Sequence, residues 1–173
     1  ILAKIIRARE DAPFVDLLRE TLVMPAGDLM DRPSKRIRAE LVALGARLIC
    51  REEANQVAIN ACAAAVELLH AGSLIVDDIQ DGSEVRRGGP SIHTRYGVAK
   101  ALCTGNWLYF WAMRMVRQAG VSPEIELALY NQYQDAVEKA HFGQALDVSV
   151  HANQIGRSDI VSVARAILEL KTG

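Results

Sequence analysis

The sequence predicts an all-α protein, a bundle of long antiparallel helices, on three observations. All five prolines (Pro13, Pro25, Pro33, Pro90 and Pro123) fall where helices would break. Between them, apolar residues recur at intervals of three and four, the spacing of one helix face. Aromatics make up only 5% of the chain and nothing alternates with period two for long, which disfavours a sheet. A chain of 173 residues can build one domain with a real core, or part of a larger one, and no repeat or internal domain boundary divides it.

In chain order, Pro33 precedes a basic segment, after which Ile37, Leu41, Leu44 and Leu48 form one apolar stripe. Val57, Ala61, Ala64, Leu68 and Ala71 form a second. Gly45 and Gly72 stand inside these patterns at a cost of about 1 kcal/mol each relative to Ala, so each marks close packing or pocket space. Residues 81–90 (DGSEVRRGGP) read as a loop. Residues 98–116, 123–150 and 158–170 are long and periodic enough for helices, and Ser122 with Pro123 makes an N-cap followed by proline at the first helical position.

The formal net charge of −1 gives no general reason to expect a nucleic-acid or anionic-membrane partner, so any phosphate must be held by local clusters of cations. Cys50, Cys62 and Cys103 stand far apart with no metal-ligand spacing and read as buried thiols of a reducing cytosol. The longest apolar stretch, residues 59–76, is interrupted by Asn60, Glu67, His70 and Ser73, so no membrane span is expected. A cytoplasmic location follows as the default expectation.

The informative segment is residues 70–81 (HAGSLIVDDIQD). At 100° per residue, Asp77 lies about 20° from His70 on one side and Asp81 about 20° from His70 on the other, so the three share one face. Asp77 and Asp81 are one turn apart, close enough to share an ion. Like charges at that spacing, at the C-terminal end of a helix, are disfavoured by each other and by the dipole, and a divalent cation offsets both. Oxygen-only donors favour Mg²⁺, with Mn²⁺ as the alternative, and magnesium takes its remaining ligands from water and phosphate. Taken alone, the acids could equally be a solvated helix end. The Arg86-Arg87 pair on a Gly-rich loop, with His93 beyond it, and Lys35, Arg36 and Arg38 at a helix start add guanidinium forks and backbone N–H groups suited to a diphosphate. His93 reads either as a phosphate neighbour or as a local cap; His141 and His151 read as ordinary histidines.

In this order and spacing the residues resemble the trans-isoprenyl diphosphate synthases, also called polyprenyl synthetases. Residues 34–38 (SKRIR) stand for the usual GKRxR, 70–81 for HxxSLxxDDxxD, Arg86 to His93 for RRGxPxxH, Gly143, Gln144 and Asp147 for GQxxD, and 171–173 for KTG. The resemblance implies helices arranged around a central cavity, in the isoprenoid-synthase manner, with residues 1–173 forming the N-terminal part of one such domain. It implies Mg²⁺-assisted ionisation of an allylic diphosphate, attack by isopentenyl diphosphate and loss of a proton. By position, Asp77 and Asp81 resemble the metal ligands, with Asp78 supporting them. Arg86 resembles the allylic-diphosphate arginine, while Lys35, Arg38, His70 and Arg87 resemble the isopentenyl diphosphate pocket. Gln144, Lys171 and Thr172 would lie on the allylic side, with Lys171 also counted in the catalytic set, and Asp147 would support metal or lysine. A homodimer is expected from the same resemblance.

Three departures stand out. Ser34 replaces a glycine, Asn106 stands where many members have Asp, and the chain stops before the second Asp-rich motif of the family. The 173 residues alone are therefore expected to fold poorly and to be inactive. Ser73 and Gly72, four and five residues before Asp77, are small where short-chain synthases carry an aromatic floor, which points to a product of C20 or longer; Trp107, Phe110 and Trp111 are alternative floor residues or plain core. The rival readings are a class I terpene cyclase on the same scaffold and a non-catalytic synthase subunit.

Overall fold

Helices account for nearly all the regular structure in a computed structural model that describes residues 9, 11–50, 55–150, 155–156 and 158–172, without the side chains of Cys50 and Thr172. The chain divides into two units, Ile1–Gly120 and Val121–Gly173. In the first, α1 (Pro13–Leu18) starts on a proline, runs through a π-helical turn (Arg19–Val23) and continues as α2 (Met24–Asp31). Then follow α3 (Ile37–Cys50), α4 (Gln56–Asp81), α5 (Ile92–Tyr96) and α6 (Val98–Arg117). The expected loop between α4 and α5 contains a small antiparallel hairpin, β1 (Val85–Arg86) and β2 (Gly89–Pro90), with Val85 opposite Pro90 and Arg86 opposite Gly89.

The caps of α4 place the acidic segment. Asn55 accepts from the Ala58 N–H at 3.1 Å to start the helix. Gly82, left-handed at φ 66°, ends it immediately after Asp81 with its N–H on the Asp78 carbonyl. Asp77 and Asp81 therefore occupy the last turns of α4, as the spacing predicts.

α4 packs chiefly against α6, and this contact gives Gly72 its role. A Cβ on Gly72 would lie 2.8 Å from the Gly105 carbonyl oxygen and 3.2 Å from a ring carbon of Tyr109. A Cβ on Gly105 would lie 2.9 Å from Val76 and 3.2 Å from the Gly72 carbonyl oxygen. The two glycines let the helix backbones meet, with Leu68, Ala71, Ile75, Leu108 and Ala112 buried along the seam. Gly72 thus serves close packing rather than pocket space, which removes it from the reading of an open floor below the acids. Gly45 meets nothing within 4 Å, so neither role applies to it. Thr104 is fully buried on α6 and donates to the Thr21 carbonyl at 2.8 Å, tying that helix to the π-helical turn.

The apolar stripe of α3 is correctly a single face, but Ile37, Leu41, Leu44 and Leu48 are all more than half exposed. Spacing identifies a helix face without identifying what covers it. In the second stripe Leu68 and Ala71 are buried, whereas Val57 is exposed. α4 is long and apolar enough to cross a membrane, with a mean hydropathy of 1.6 over its best 18-residue window; a helix at the centre of a helical core meets the same two criteria. Cys62 and Cys103 are unpaired thiols; Cys103 is exposed, contrary to the expected burial, and Cys50's side chain lies outside the described residues.

The second unit comprises α7 (Pro123–Ser149) and α8 (Ile160–Thr172), packed on each other. Ser122 accepts from the Ile125 N–H at 3.4 Å, the expected cap. Gly143 is the crossing point, because a Cβ there would lie 2.8 Å from the Leu170 carbonyl carbon and 2.9 Å from the Lys171 Cα.

Gly72→Ala and Gly105→Ala are each expected to cost about 1–3 kcal/mol by forcing α4 and α6 apart. Gly45→Ala is expected to add about 0.5–1 kcal/mol of stability. Urea unfolding of the three variants checks both; equal effects at all three positions would contradict this account of the α4–α6 seam.

Candidate functional site

The end of α4 and the hairpin that follows it bring acids and arginines together. On α4 the three aspartates separate by depth. Asp78 points inward and is almost wholly buried, whereas Asp77 is partly and Asp81 largely exposed. Arg86 binds Asp78 through Nε, at 2.8 Å, and through Nη2, and its Nη2 also stands 3.8 Å from Asp77 Oδ2. The hydrogen bonding to Asp78 raises the Arg86 pKa, as the neighbouring Asp77 and Asp81 charges also do. Asp78 Oδ2 is buried and accepts no hydrogen bond. Asp78 therefore anchors Arg86, while Asp77 and Asp81 lie one turn apart on the more exposed side of α4.

Arg87 occupies the hairpin turn. Both turn residues have positive φ, Arg87 at 50° and Gly88 at 75°, as a two-residue type I′ turn requires. The conformation suits glycine and costs a side-chain-bearing residue about 1–2 kcal/mol. Arg87 is held there by a 3.2 Å hydrogen bond from Nη1 to the Leu29 carbonyl. Its guanidinium lines a cavity of about 310 Å³ together with Arg36, Glu67, Met30, Leu68 and small alanines of α3 and α4. Burial is the leading influence on Arg87 and lowers its pKa, Glu67 opposes this, and Arg86, Arg36 and Arg32 add to the lowering.

Glu67 also settles the expected anion site at the start of α3. Its Oε1 accepts from the Ala39 N–H at 3.2 Å, and the Glu40 N–H bonds to the Arg36 carbonyl at 3.2 Å. The Ala39 donor is thus taken by a carboxylate of α4, and the basic side chains rather than this N–H remain for an anion. Arg36, with φ 45°, turns the chain into α3. Lys35 and Arg38 lie exposed on either side of it.

His70 sits one helical face with Asp77 but feels the cations. Burial first, then the charges of Arg38, Arg87 and Arg86, pull its pKa from 6.5 to about 4. Near neutral pH the imidazole is therefore uncharged. Tyr109 of α6, beside Gly72, is pushed up to about 12 by burial and by the Asp77 charge, so its phenol stays protonated. Of the residues assigned to the site in this unit, Asp77, Asp78, Asp81, Arg86, Arg87, Arg38 and His70 form one electrostatically connected group. His93 takes the local alternative, with Nδ1 3.2 Å from Ser91 Oγ.

In the second unit, Lys171 Nζ lies 2.6 Å from Asp147 Oδ2, so of the two roles open to Asp147 the structure displays support of the lysine. Gln144 is one turn from Asp147 on α7 and partly buried. His141 bonds the Val137 carbonyl at 2.8 Å within α7. The Thr172 side chain, His151 and Gly173 lie outside the described residues.

Glu67 and Tyr109 are additions to the predicted group, and Arg36, predicted only as part of the basic cluster at the start of α3, joins Glu67 at the cavity. Arg36 and Glu67 were visible as charges in the sequence, but only the packing of α3 on α4 makes them one cavity. Among the described residues no three His, Cys, Asp or Glu side chains converge on a point. Magnesium does not require it, since it typically takes one or two carboxylates and completes its sphere with water and phosphate. The oxygen donors of Asp77 and Asp81 on the outer side of α4 fit that ion.

The depressed pKa of His70 carries a pH signature. The unfolded imidazole takes up a proton near pH 6.5 and the folded one only near 4, so the unfolded state binds more protons between these values. Stability is then expected to fall as pH drops from about 6.5 to about 4. His70→Gln should flatten that part of the unfolding-midpoint profile, and an unchanged slope would contradict the assignment.

The polyprenyl synthetase family matches residues 19–173. A short chain isoprenyl diphosphate synthase of Methanothermobacter thermautotrophicus is 35% identical over 133 residues, covering 77% of this chain and 40% of the relative. A preasperterpenoid A synthase of Talaromyces verruculosus is 33% identical over 144 residues, covering 83% of this chain and 17% of the relative. The solved geranylgeranyl pyrophosphate synthetase of the archaeon Geoglobus acetivorans superposes with a TM-score of 0.79 at 26% identity, covering 91% of this chain and 51% of that one. The chain spans about half the length of that structure and less of the two sequence relatives. With its helical fold, its acidic α4 terminus and its arginine hairpin, the chain belongs to the polyprenyl synthetase family.

Proposed function

We propose that the full-length protein is a prenyltransferase that condenses isopentenyl diphosphate with an allylic diphosphate. The observation that carries this reading is the junction of α4 with the hairpin, where a carboxylate pair suited to Mg²⁺ adjoins two arginines that point to different surroundings. Arg86 turns to the aspartates and Arg87 turns to the cavity. Two diphosphates with different fates need such a division.

Asp77 and Asp81 would hold the metal, and bound magnesium supplies Lewis acidity toward the diphosphate that leaves. Arg86, anchored on Asp78, adds a fixed positive charge where negative charge develops as the allylic C–O bond breaks. Arg87, Arg38 and the uncharged His70 would hold the second diphosphate, which stays on the product. The charges of Arg38, Arg87 and Arg86 add to burial in lowering the His70 pKa, and an anion bound there would offset that like charge. The double bond of isopentenyl diphosphate then forms a C–C bond to the allylic carbon and a proton is lost, giving a chain five carbons longer. With Ser73 small and partly exposed, four residues before Asp77, we infer a product of C20 or longer. Dimerisation and a cytoplasmic location belong to the same proposal.

The likeness to a preasperterpenoid A synthase favours a second reading, a terpene cyclase on this scaffold. Incubation of the full-length protein with labelled isopentenyl diphosphate, Mg²⁺ and C5, C10 or C15 allylic partners separates the two. Elongated diphosphates are expected; a hydrocarbon formed without incorporation would instead mean cyclisation, and no reaction a non-catalytic subunit. Asp77→Ala and Asp81→Ala are expected to lower kcat by about 100-fold or more, in line with the loss of one preorganised electrostatic group. Ser73→Phe should shorten the product, and unchanged chain length would count against the open floor. The 173-residue chain by itself is expected to be inactive, which full prenyl transfer by that chain would overturn.

A further inference from the structure

Arg86 and Arg87 act from a hairpin with two-residue strands and a left-handed Arg87, a unit too small to hold its own shape. Its backbone is held from outside by Arg32, at the end of α2. Arg32 Nη1 donates to the Arg86 carbonyl and to the Pro90 carbonyl, each at 2.8 Å, so one nitrogen bridges the hairpin from strand to strand. The other face of the same guanidinium is fixed by Asp28, whose Oδ1 accepts from Nε at 3.2 Å and Nη2 at 3.0 Å. Asp28 Oδ2 takes Arg95 at 2.9 Å. The Arg32 and Asp28 side chains are only 10% and 14% exposed, so this is no solvent-screened surface pair.

Gly89 completes the arrangement. A Cβ there would lie 3.1 Å from both Cζ and Nη1 of Arg32, so the guanidinium lies directly against the glycine. Resting on the reading of the hairpin as a diphosphate site, we propose that Arg32, oriented by Asp28, is a positioning residue. It clamps the 86–90 turn so that Arg86 meets the aspartates while Arg87 enters the cavity. A lysine cannot replace it, because a single ammonium lacks the planar fork needed to reach Asp28 and both carbonyls.

The test uses the full-length protein with Arg32→Lys, Arg32→Ala, Gly89→Ala and the Arg32→Ala/Gly89→Ala pair. It measures inorganic diphosphate binding by calorimetry, KM and kcat for both substrates, and the unfolding midpoint. Arg32→Lys is expected to remain folded with an unfolding midpoint near the parent's and to bind diphosphate about 10-fold or more weakly. It should raise the KM for isopentenyl diphosphate as Arg87 loses its place, and lower kcat about 10-fold as Arg86 loses its place. Gly89→Ala should weaken binding in the parent but have no further effect once Arg32 is alanine. Should Arg32→Ala fail to fold, Arg32→Lys and single Gly89→Ala decide the matter. A folded Arg32→Lys that binds diphosphate like the parent would overturn the positioning role alone. A parent protein that binds no diphosphate would overturn the site reading on which the role rests.

Discussion

The Arg86–Asp78 ion pair is the joint on which the site depends. It ties the inward side of α4's last turn to the hairpin that follows, so the acids and the arginines are held as one unit rather than as two neighbouring surfaces. Asp78 is nearly fully buried, and a buried carboxylate without a cation would be strongly destabilising. Pairing Asp78 with Arg86 removes that penalty and fixes which aspartates stay outward. Gly82 ends α4 just beyond Asp81, which keeps the outward pair in the last turns, beside the hairpin.

Around this joint the molecule accumulates like charge. Arg38, Arg86 and Arg87 add to burial in depressing the His70 pKa, and Arg36, Arg86 and Arg32 add to burial in lowering that of Arg87. Glu67 and Asp28 moderate this like charge from outside, one by capping α3 and one by orienting Arg32. Such an assembly is costly in the free protein and well matched to a polyanion, the usual character of an electrostatically preorganised site. The close seam between α4 and α6 supplies the rigidity, because Gly72 and Gly105 leave no slack between the backbones.

Much of the fold was legible in the sequence because its signals are local. Gly82 ends α4 and Pro123 opens α7 where expected, and the one-turn spacing of Asp77 and Asp81 survives unchanged in α4. The break expected at Pro25 does not occur, because a π-helical turn just before it carries the helix from Pro13 through to Asp31. What was not legible depends on contacts across the chain. Arg32 reaches the hairpin carbonyls across 54 and 58 residues, and Arg95 reaches Asp28 across 67, separations at which residue spacing carries no information. The depth difference between Asp77 and Asp78 follows from which side of α4 meets the core. Gly72 was ambiguous for the same reason, since a missing side chain is equally a gap or a contact until the facing helix is known. The exposed stripe of α3 shows the converse limit, a face read correctly with its cover undetermined.

The central claim is that one site handles two diphosphates, one that leaves and one that remains. Phosphorus label placed separately in each substrate tests it most directly. In a single condensation, with enzyme in excess over the allylic partner and one turnover followed, the account predicts that label from isopentenyl diphosphate stays in the product five carbons longer while label from the allylic partner is released as inorganic diphosphate. Release of the isopentenyl label in that first turnover, or release of the allylic label with none of the isopentenyl label incorporated, would contradict it.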